Sequence, residues 1–219
     1  LLIGFGGGVV LDITKYAATK KNINYLAVPT ALSNDGIYSP VASLKQDSGL
    51  RESIGVNVPL GIVIDLEIIK KAPIWTLRAG IGDLISNISS LSDWKIAKKT
   101  NNEHIDDFSY TLASLATHAV FDHDFIDLAD IGFIKKVAYS LVLSGLAMEL
   151  AKSSRPCSGA EHLISHALDR LFPDRHTLHG LQVAYATYYL EEMRGAKYKD
   201  KLESFFEKSG LPLHCQDLG

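Results

Sequence analysis

The chain has 219 residues, with 22 Lys+Arg against 25 Asp+Glu (net charge −3), and 47% of its residues are apolar. That length and apolar content exclude disorder and allow a sizeable core, and the charge balance excludes a protein that grips nucleic acid through a basic surface. Apolar runs are short and broken (Leu141 to Met148 ends at Glu149), so no membrane span is expected. Two cysteines, Cys157 and Cys215, are too few for a disulfide framework and point to a reducing, cytoplasmic setting.

The chain opens on Leu1-Leu2-Ile3, with no initiator Met and no signal-peptide charge pattern. This reads as the end of a buried strand, so the sequence is expected to be part of a longer protein. Residues 1–66 hold 8 of the 17 glycines and three β-branched or apolar runs: Leu1-Leu2-Ile3, Tyr25-Leu26-Ala27-Val28 and Gly61-Ile62-Val63-Ile64. Each run is bounded by turn formers, and Val9 to Lys20 between the first two has helical length. Strand, glycine turn, helix and strand make a βαβ unit with a right-handed crossover. Beyond residue 66 the period becomes helical. Leu77, Ile81, Leu84, Ile85, Ile88 and Leu91 mark one helix, with others over about 104–121, 130–153, 159–171, 178–194 and 198–208. The expected architecture is part of a Rossmann-like α/β nucleotide-binding domain over 1–66, followed by an all-α helical domain over 67–219.

Gly4-Phe5-Gly6-Gly7-Gly8 leads from the first strand into the first helix, where free N–H groups and the positive dipole end suit a pyrophosphate. A tight turn without a ligand fits the same residues. Asp12 and Lys15, one turn apart on that helix, fit a solvated ion pair equally well. Pro29-Thr30-Ala31-Leu32-Ser33-Asn34-Asp35-Gly36 follows the second strand, at the carboxyl edge where parallel sheets bind ligands. There Thr30, Ser33 and Ser39 are candidate cofactor donors and Asp35 a candidate acceptor for a substrate hydroxyl; an ordinary polar turn is the alternative.

Four of the eight histidines fall between 162 and 179. His162 and His166 share a helix face, and Leu163, Ile164, Ala167, Leu168 and Leu171 are expected to bury the opposite one. Ser158-Gly159-Ala160-Glu161 has the spacing of a capping box that starts this helix. His179 precedes Gly180 at the next helix start. A third, oxygen ligand is needed for a metal with an open position, and Asp83 is a candidate because it lies off the apolar stripe of its helix, beside Gly80, Gly82 and Asn87. A solvated helix face is the alternative for the histidines. His104, His118, His123 and His214 are expected to be structural or superficial, and Arg155 is open between a substrate-phosphate contact and a capping or ion-pair role.

These stretches, in this order, resemble the metal-dependent polyol dehydrogenase superfamily of iron-containing alcohol dehydrogenases, glycerol dehydrogenases and 3-dehydroquinate synthases, and within it the sn-glycerol-1-phosphate dehydrogenase branch. The carrying residues are Gly6-Gly7-Gly8-Val9-Val10-Leu11-Asp12-Ile13-Thr14-Lys15, the loop from Pro29 to Ser43, Arg78-Ala79-Gly80-Ile81-Gly82-Asp83, Arg155 to His166, and His179-Gly180. The branch rests mainly on Ser33-Asn34-Asp35-Gly36-Ile37-Tyr38-Ser39-Pro40. The alcohol dehydrogenases have a Gly-Thr-Gly-Ser-Glu type of loop there, and the synthases' Asp-Ser-Ser-Val-Gly-Gly-Lys loop is absent.

The resemblance implies a dehydroquinate synthase-like fold and reduction of dihydroxyacetone phosphate to sn-glycerol 1-phosphate by NAD(P)H, in phospholipid biosynthesis. It implies that Gly8, Val9, Val10, Leu11, Asp12, Thr30, Ser33 and Ser39 contact the NAD or NADP cofactor. Asp83, His162 and His179 would hold one divalent metal, zinc foremost, although iron and nickel suit the same donors. Asp35, Asp83 and His166 would bind substrate, with His166 or Asp35 relaying the proton. The family's first strands, which recognise the adenine ribose, and its final helices have no counterpart here. A homo-oligomer is compatible. A glycerol or other alcohol dehydrogenase, and an inactive nucleotide- or metal-binding module, are the alternatives.

Overall fold

The computed structural model describes residues 1–45, 51–123, 126–175, 177–195 and 198–218. Strand β1 (Leu2–Gly6), helix α1 (Gly8–Lys21) and strand β2 (Tyr25–Pro29) form the expected βαβ unit, with β1 parallel to β2 from Leu2↔Tyr25 to Gly6↔Pro29. Lys20 and Lys21 close the last turn of α1, and Asn22 stops it in the left-handed region at φ 51. An antiparallel hairpin follows, β3 (Val41–Lys45) and β4 (Arg51–Gly55), then the short β5 (Gly61–Ile62), which adds to β2 and gives the parallel order β1-β2-β5.

The hairpin has no signal in the apolar pattern, because Ser43, Lys45, Arg51, Glu52 and Ser53 interrupt any run. It is held on α1 instead, where Lys15 Nζ donates to the Val41 carbonyl at 2.8 Å. The opening strand is not buried. β1 is an edge, and Leu1, Ile3 and Phe5 are exposed because nothing among the described residues covers their face.

Among the described residues, seven further α-helices follow: α2 (Leu66–Ile69), α3 (Ile74–Asn101), α4 (Asp107–Phe121), α5 (Ile131–Ala151), α6 (Ala160–Leu171), α7 (His179–Met193) and α8 (Lys199–Ser209). Asp65, Asp106 and Asp130 cap α2, α4 and α5 by accepting from first-turn N–H groups, which fixes those starts locally. The core gathers Ile81, Leu84 and Ile85 of α3 with Val120 and Phe121 of α4, Phe133, Val137 and Leu141 of α5, Ala184 of α7, and Leu202 and Phe206 of α8. Helix α5 is long and apolar enough to cross a membrane by length and composition, a point the broken-run argument missed, yet over half of it is buried inside the protein like a core helix.

Three local expectations are corrected. Helix α3 has no polar face in its middle: Ala79 to Asn87 are all buried, so Asp83 sits inside the protein rather than off a stripe. Helix α6 packs the other way round from its amphipathic pattern, with Leu163 and Leu171 70% and 69% exposed while Glu161 and Ser165 are buried. Its start is not a capping box, since Gly159 is the N-cap and carries no side chain to cap with. The Gly159 N–H goes to Glu161 Oε1 at 2.6 Å and the Ala160 N–H to Asp93 Oδ2 at 2.7 Å.

Candidate metal centre and cofactor turn

At the glycine turn, a Cβ on Gly6 would lie 2.7 Å from the Val10 side chain and one on Gly4 2.7 Å from Thr14 Oγ1, so the strand can fold back on α1 only without side chains there. Gly7 is the N-cap, and the Leu11 N–H makes the first bond, to the Gly7 carbonyl at 3.1 Å. The N–H groups of Gly8, Val9 and Val10 precede that bond and stay open for an anion. Ser33 Oγ and Asn34 Nδ2 lie 3.8 and 3.6 Å from the Cβ position of Gly8, so the turn and the Ser33 loop form one mouth.

Asp12 and Lys15 are not a solvated pair. Lys15 is fully buried, 3.3 Å from Asp12 and reaching under the loop to Val41 and Ser39. Burial, partly offset by Asp12, lowers the Lys15 pKa, and burial likewise raises that of Asp12. Thr30 is half-buried, its N–H bonded to the Gly6 carbonyl at 3.0 Å. Ser39 is buried, with its hydroxyl donated to the Val41 carbonyl at 3.2 Å.

Asn34 Oδ1 accepts from the Gly36 N–H at 2.9 Å, which turns the chain so that the Asp35 N–H points at Asp83 Oδ2, 2.8 Å away. The loop also lies on α3, where a Cβ on Gly80 would meet the Leu32 carbonyl at 2.3 Å. Two further glycines let α3 and α7 touch through their backbones. A Cβ on Gly82 would meet the Gly180 carbonyl at 2.3 Å, and one on Gly180 the Ala79 carbonyl at 1.9 Å. That contact sets His179, the first residue of α7, against Asp83 of α3.

Asp83, His162 and His179 converge, each offering one donor atom, all within 4.8 Å of one another. The Nε2 atoms of His162 and His179 lie 3.9 and 3.8 Å from Asp83 Oδ1. Each imidazole is tied at its far nitrogen. His162 Nδ1 lies 2.9 Å from Glu161 Oε1, and His179 Nδ1 lies 2.8 Å from Ser165 Oγ. Ser165 has one proton, which goes to Gln182 Oε1 at 2.5 Å, while Gln182 Nε2 donates to Asp169 Oδ1 at 2.9 Å. Ser165 must then accept from His179 Nδ1–H. Both Nδ1 atoms therefore carry protons, and in the neutral imidazoles both Nε2 lone pairs face Asp83.

Burial, with the charge of Asp35, raises the Asp83 pKa to about 7. Burial, then the neighbouring His162, holds His179 well below the usual imidazole range. His162 is pulled down by burial but more than restored by its hydrogen bond to Glu161 and the Glu161 charge, so its pKa is raised. A carboxylate too buried to ionise easily, facing two aimed lone pairs, is a donor set that fits a divalent cation. The solvated-face alternative for His162 and His179 fails, their side chains being 15% and 33% exposed.

His166 lies one turn beyond His162, exposed, its ring 6.1 Å from that of His179. Burial and His162 lower its pKa. The remaining histidines lie elsewhere: His118 pairs with Asp122 at 3.0 Å and His123 stacks on Phe133, while His176 falls outside the described residues. Arg155 forms a two-pronged ion pair with Glu103, both contacts at 2.8 Å. Sequence reasoning missed Ser165, Gln182 and Asp169 as supports, and gave Glu161 a capping role alone. The buried spacing of Glu161 and Ser165, four apart on one face, was the available signal.

Solved structures define the fold, which is shared with iron-containing alcohol dehydrogenases and glycerol dehydrogenases. The chain superposes on glycerol dehydrogenase from Schizosaccharomyces pombe with TM-score 0.82 at 23% identity, covering 99% of this chain and 57% of that one. A probable glycerol dehydrogenase from Sinorhizobium meliloti gives 0.80 at 24%, covering 100% and 64%. Residues 1–73 match the family described as iron-containing alcohol dehydrogenase.

More particular are the curated relatives named glycerol-1-phosphate dehydrogenase [NAD(P)+]. The one from Pyrococcus furiosus is 39% identical over 218 residues, and one from Saccharolobus islandicus is 38% identical over 222. These alignments cover 99% and 100% of this chain and 62% of each relative, so the chain spans less than two thirds of their length. The resemblance drawn from the motifs thus holds along nearly the whole chain.

Proposed function

We propose that this chain carries the metal and substrate centre of an NAD(P)-dependent reductase that converts dihydroxyacetone phosphate to sn-glycerol 1-phosphate. The observation that carries the reading is the 2.8 Å hydrogen bond from the Asp35 N–H to Asp83 Oδ2, which locks the cofactor-side loop to the metal centre. The names of the relatives supply the substrate class. Asp83, His162 and His179 hold one divalent metal, zinc by preference for two imidazoles and a carboxylate. When bound, the metal supplies Lewis-acid polarisation of a ketone oxygen, and the dinucleotide supplies hydride.

The chain's own residues do the rest. Open N–H groups from Gly8 to Val10 receive the pyrophosphate, with Leu11 and Asp12 behind them and Thr30, Ser33 and Ser39 forming the loop wall. Asp35 binds a substrate hydroxyl, and the exposed His166, its pKa lowered by burial, takes and returns a proton at the mouth. We place the boundary between a dinucleotide-binding part and a metal- and substrate-binding helical part at 66/67. The setting we propose is cytoplasmic, with a phosphorylated small molecule as partner, no nucleic acid and a homo-oligomer as the working assembly.

The test measures metal content together with NADH- and NADPH-driven rates on dihydroxyacetone phosphate and on dihydroxyacetone. One metal per chain and strong preference for the phosphorylated ketone are expected, with sn-glycerol 1-phosphate as product. Equal or better rates on unphosphorylated polyols and ketones would make the protein a glycerol or other alcohol dehydrogenase instead, and metal binding without turnover an inactive module.

A further inference from the structure

Ser144 lies on α5, an element with none of the site residues, yet it touches three segments that carry or adjoin them. It is fully buried, and its hydroxyl lies 3.0 Å from Asp35 Oδ2, 3.2 Å from Asn87 Nδ2 and 3.1 Å from Cys157 Sγ. Asn87 is one turn along α3 from Asp83, and Cys157 precedes the helix of His162. The neighbouring Gly145 leaves a notch for the loop, since a Cβ there would meet the Ser39 N at 2.8 Å and the Tyr38 carbonyl carbon at 2.9 Å.

The protons in this cluster have one consistent arrangement. Asn87 can only donate through Nδ2, so it donates to Ser144 Oγ. Cys157 places its thiol proton on the Ser144 carbonyl, 3.3 Å away. The Ser144 hydroxyl proton is left for Asp35 Oδ2, the strongest acceptor in reach. No hydrogen bond to Asp35 Oδ1 is present among the described residues, so Ser144 holds the carboxyl through Oδ2 alone.

We infer that Ser144, oriented by Asn87, is a positioning residue that holds one oxygen of Asp35 so that the other meets the substrate hydroxyl. The inference rests on the proposed substrate role of Asp35. Cys157 packs against the same hydroxyl and takes no part in positioning.

A double-mutant cycle in the metal-loaded protein tests it, reading kcat and KM for dihydroxyacetone phosphate, KM for NADPH, metal content and the thermal midpoint. Loss of one buried hydrogen bond to the Asp35 carboxyl predicts that Ser144→Ala lowers kcat/KM for the ketone about tenfold, mostly through KM. Metal content and the NADPH KM should stay unchanged. Ser144→Thr should recover most of the loss, and Cys157→Ala should stay within twofold of wild type. In an Asp35→Ala background, Ser144→Ala should cost nothing more.

An equal loss from Ser144→Ala with and without Asp35, or an Ser144→Ala enzyme within twofold of wild type, overturns the inference. An Asp35→Ala enzyme with undiminished ketone kcat/KM removes the substrate role of Asp35 itself, and that failure shows in a different variant. Should Ser144→Ala fail to fold, Asn87→Ala carries the same test, since it releases the Ser144 hydroxyl without touching Asp35.

Discussion

Helices α3 and α6 each carry a residue of the proposed metal centre, and they place it by opposite means. Around Asp83, α3 is buried on every side and meets α7 backbone to backbone through Gly82 and Gly180. Helix α6 turns its polar side inward, so that Glu161 and Ser165 are buried as supports for His162 and His179, and leaves Leu163 and Leu171 in solvent. Close packing places Asp83, hydrogen bonding orients His162, and His179 depends on both, set at the α3–α7 crossing and oriented by Ser165. Apolar burial, which orients most amphipathic helices, does not orient this one.

The largest effect expected is from His179→Ala, which removes a proposed ligand set at the packed crossing. Metal retention and turnover should both be lost, as read by metal analysis after dialysis and by rate; a variant with full metal content would overturn the ligand assignment. Next comes Gly180→Ala, whose added Cβ would face the Ala79 carbonyl at 1.9 Å. Neither backbone can yield, so a loss of about 3 kcal/mol is expected in chemical denaturation. A neutral result there would mean that the crossing is looser than the glycines imply.

On the hydrogen-bonded side the expected effects are gentler and fall on affinity. Ser165→Ala should weaken metal binding on the order of tenfold, measured by competition with a chelator, with the fold intact. That outcome would separate support by hydrogen bonds from support by packing, since Gly180→Ala should damage stability first.

The metal-free protein should also reveal the buried carboxylate through pH. Asp83 has its pKa raised to about 7 from the ordinary 3.8, so the folded state holds this proton more tightly than the unfolded chain. The favourable contribution is complete below about pH 4 and is lost as pH rises through 7. A cation replaces the proton, so the rise in thermal midpoint on adding metal should be larger at pH 8 than at pH 5.5. A gain independent of pH would contradict it. Smallest of all, Leu163→Ala should change stability by less than about 0.5 kcal/mol, because the side chain is already 70% exposed. Ile81→Ala on α3, fully buried, should cost about 2–5 kcal/mol in the same assay.

Much of the site was legible because local chemistry writes it. The glycine turn, the Asn34 turn and the i, i+4 histidines are short-range patterns, and the helices α3 to α8 follow apolar spacing with caps at Asp106 and Asp130. The β3–β4 hairpin was not legible, since its strands are polar and held by the buried Lys15, a contact 26 residues away. Nor was the orientation of α6, whose sequence pattern points its apolar side inward.

The sequence by itself determined the βαβ unit and most helix ends, because these depend on turn chemistry and on spacings within a few residues, and its motifs singled out Asp83, His162 and His179 as candidate ligands. Only the tertiary structure decided that Asp83 is buried, that Ser165 and Glu161 fix the histidine tautomers, and that Ser144 reaches Asp35. Those facts depend on which backbones approach within van der Waals contact, and a hydrogen bond between residues 109 apart, as between Asp35 and Ser144, has no local signature.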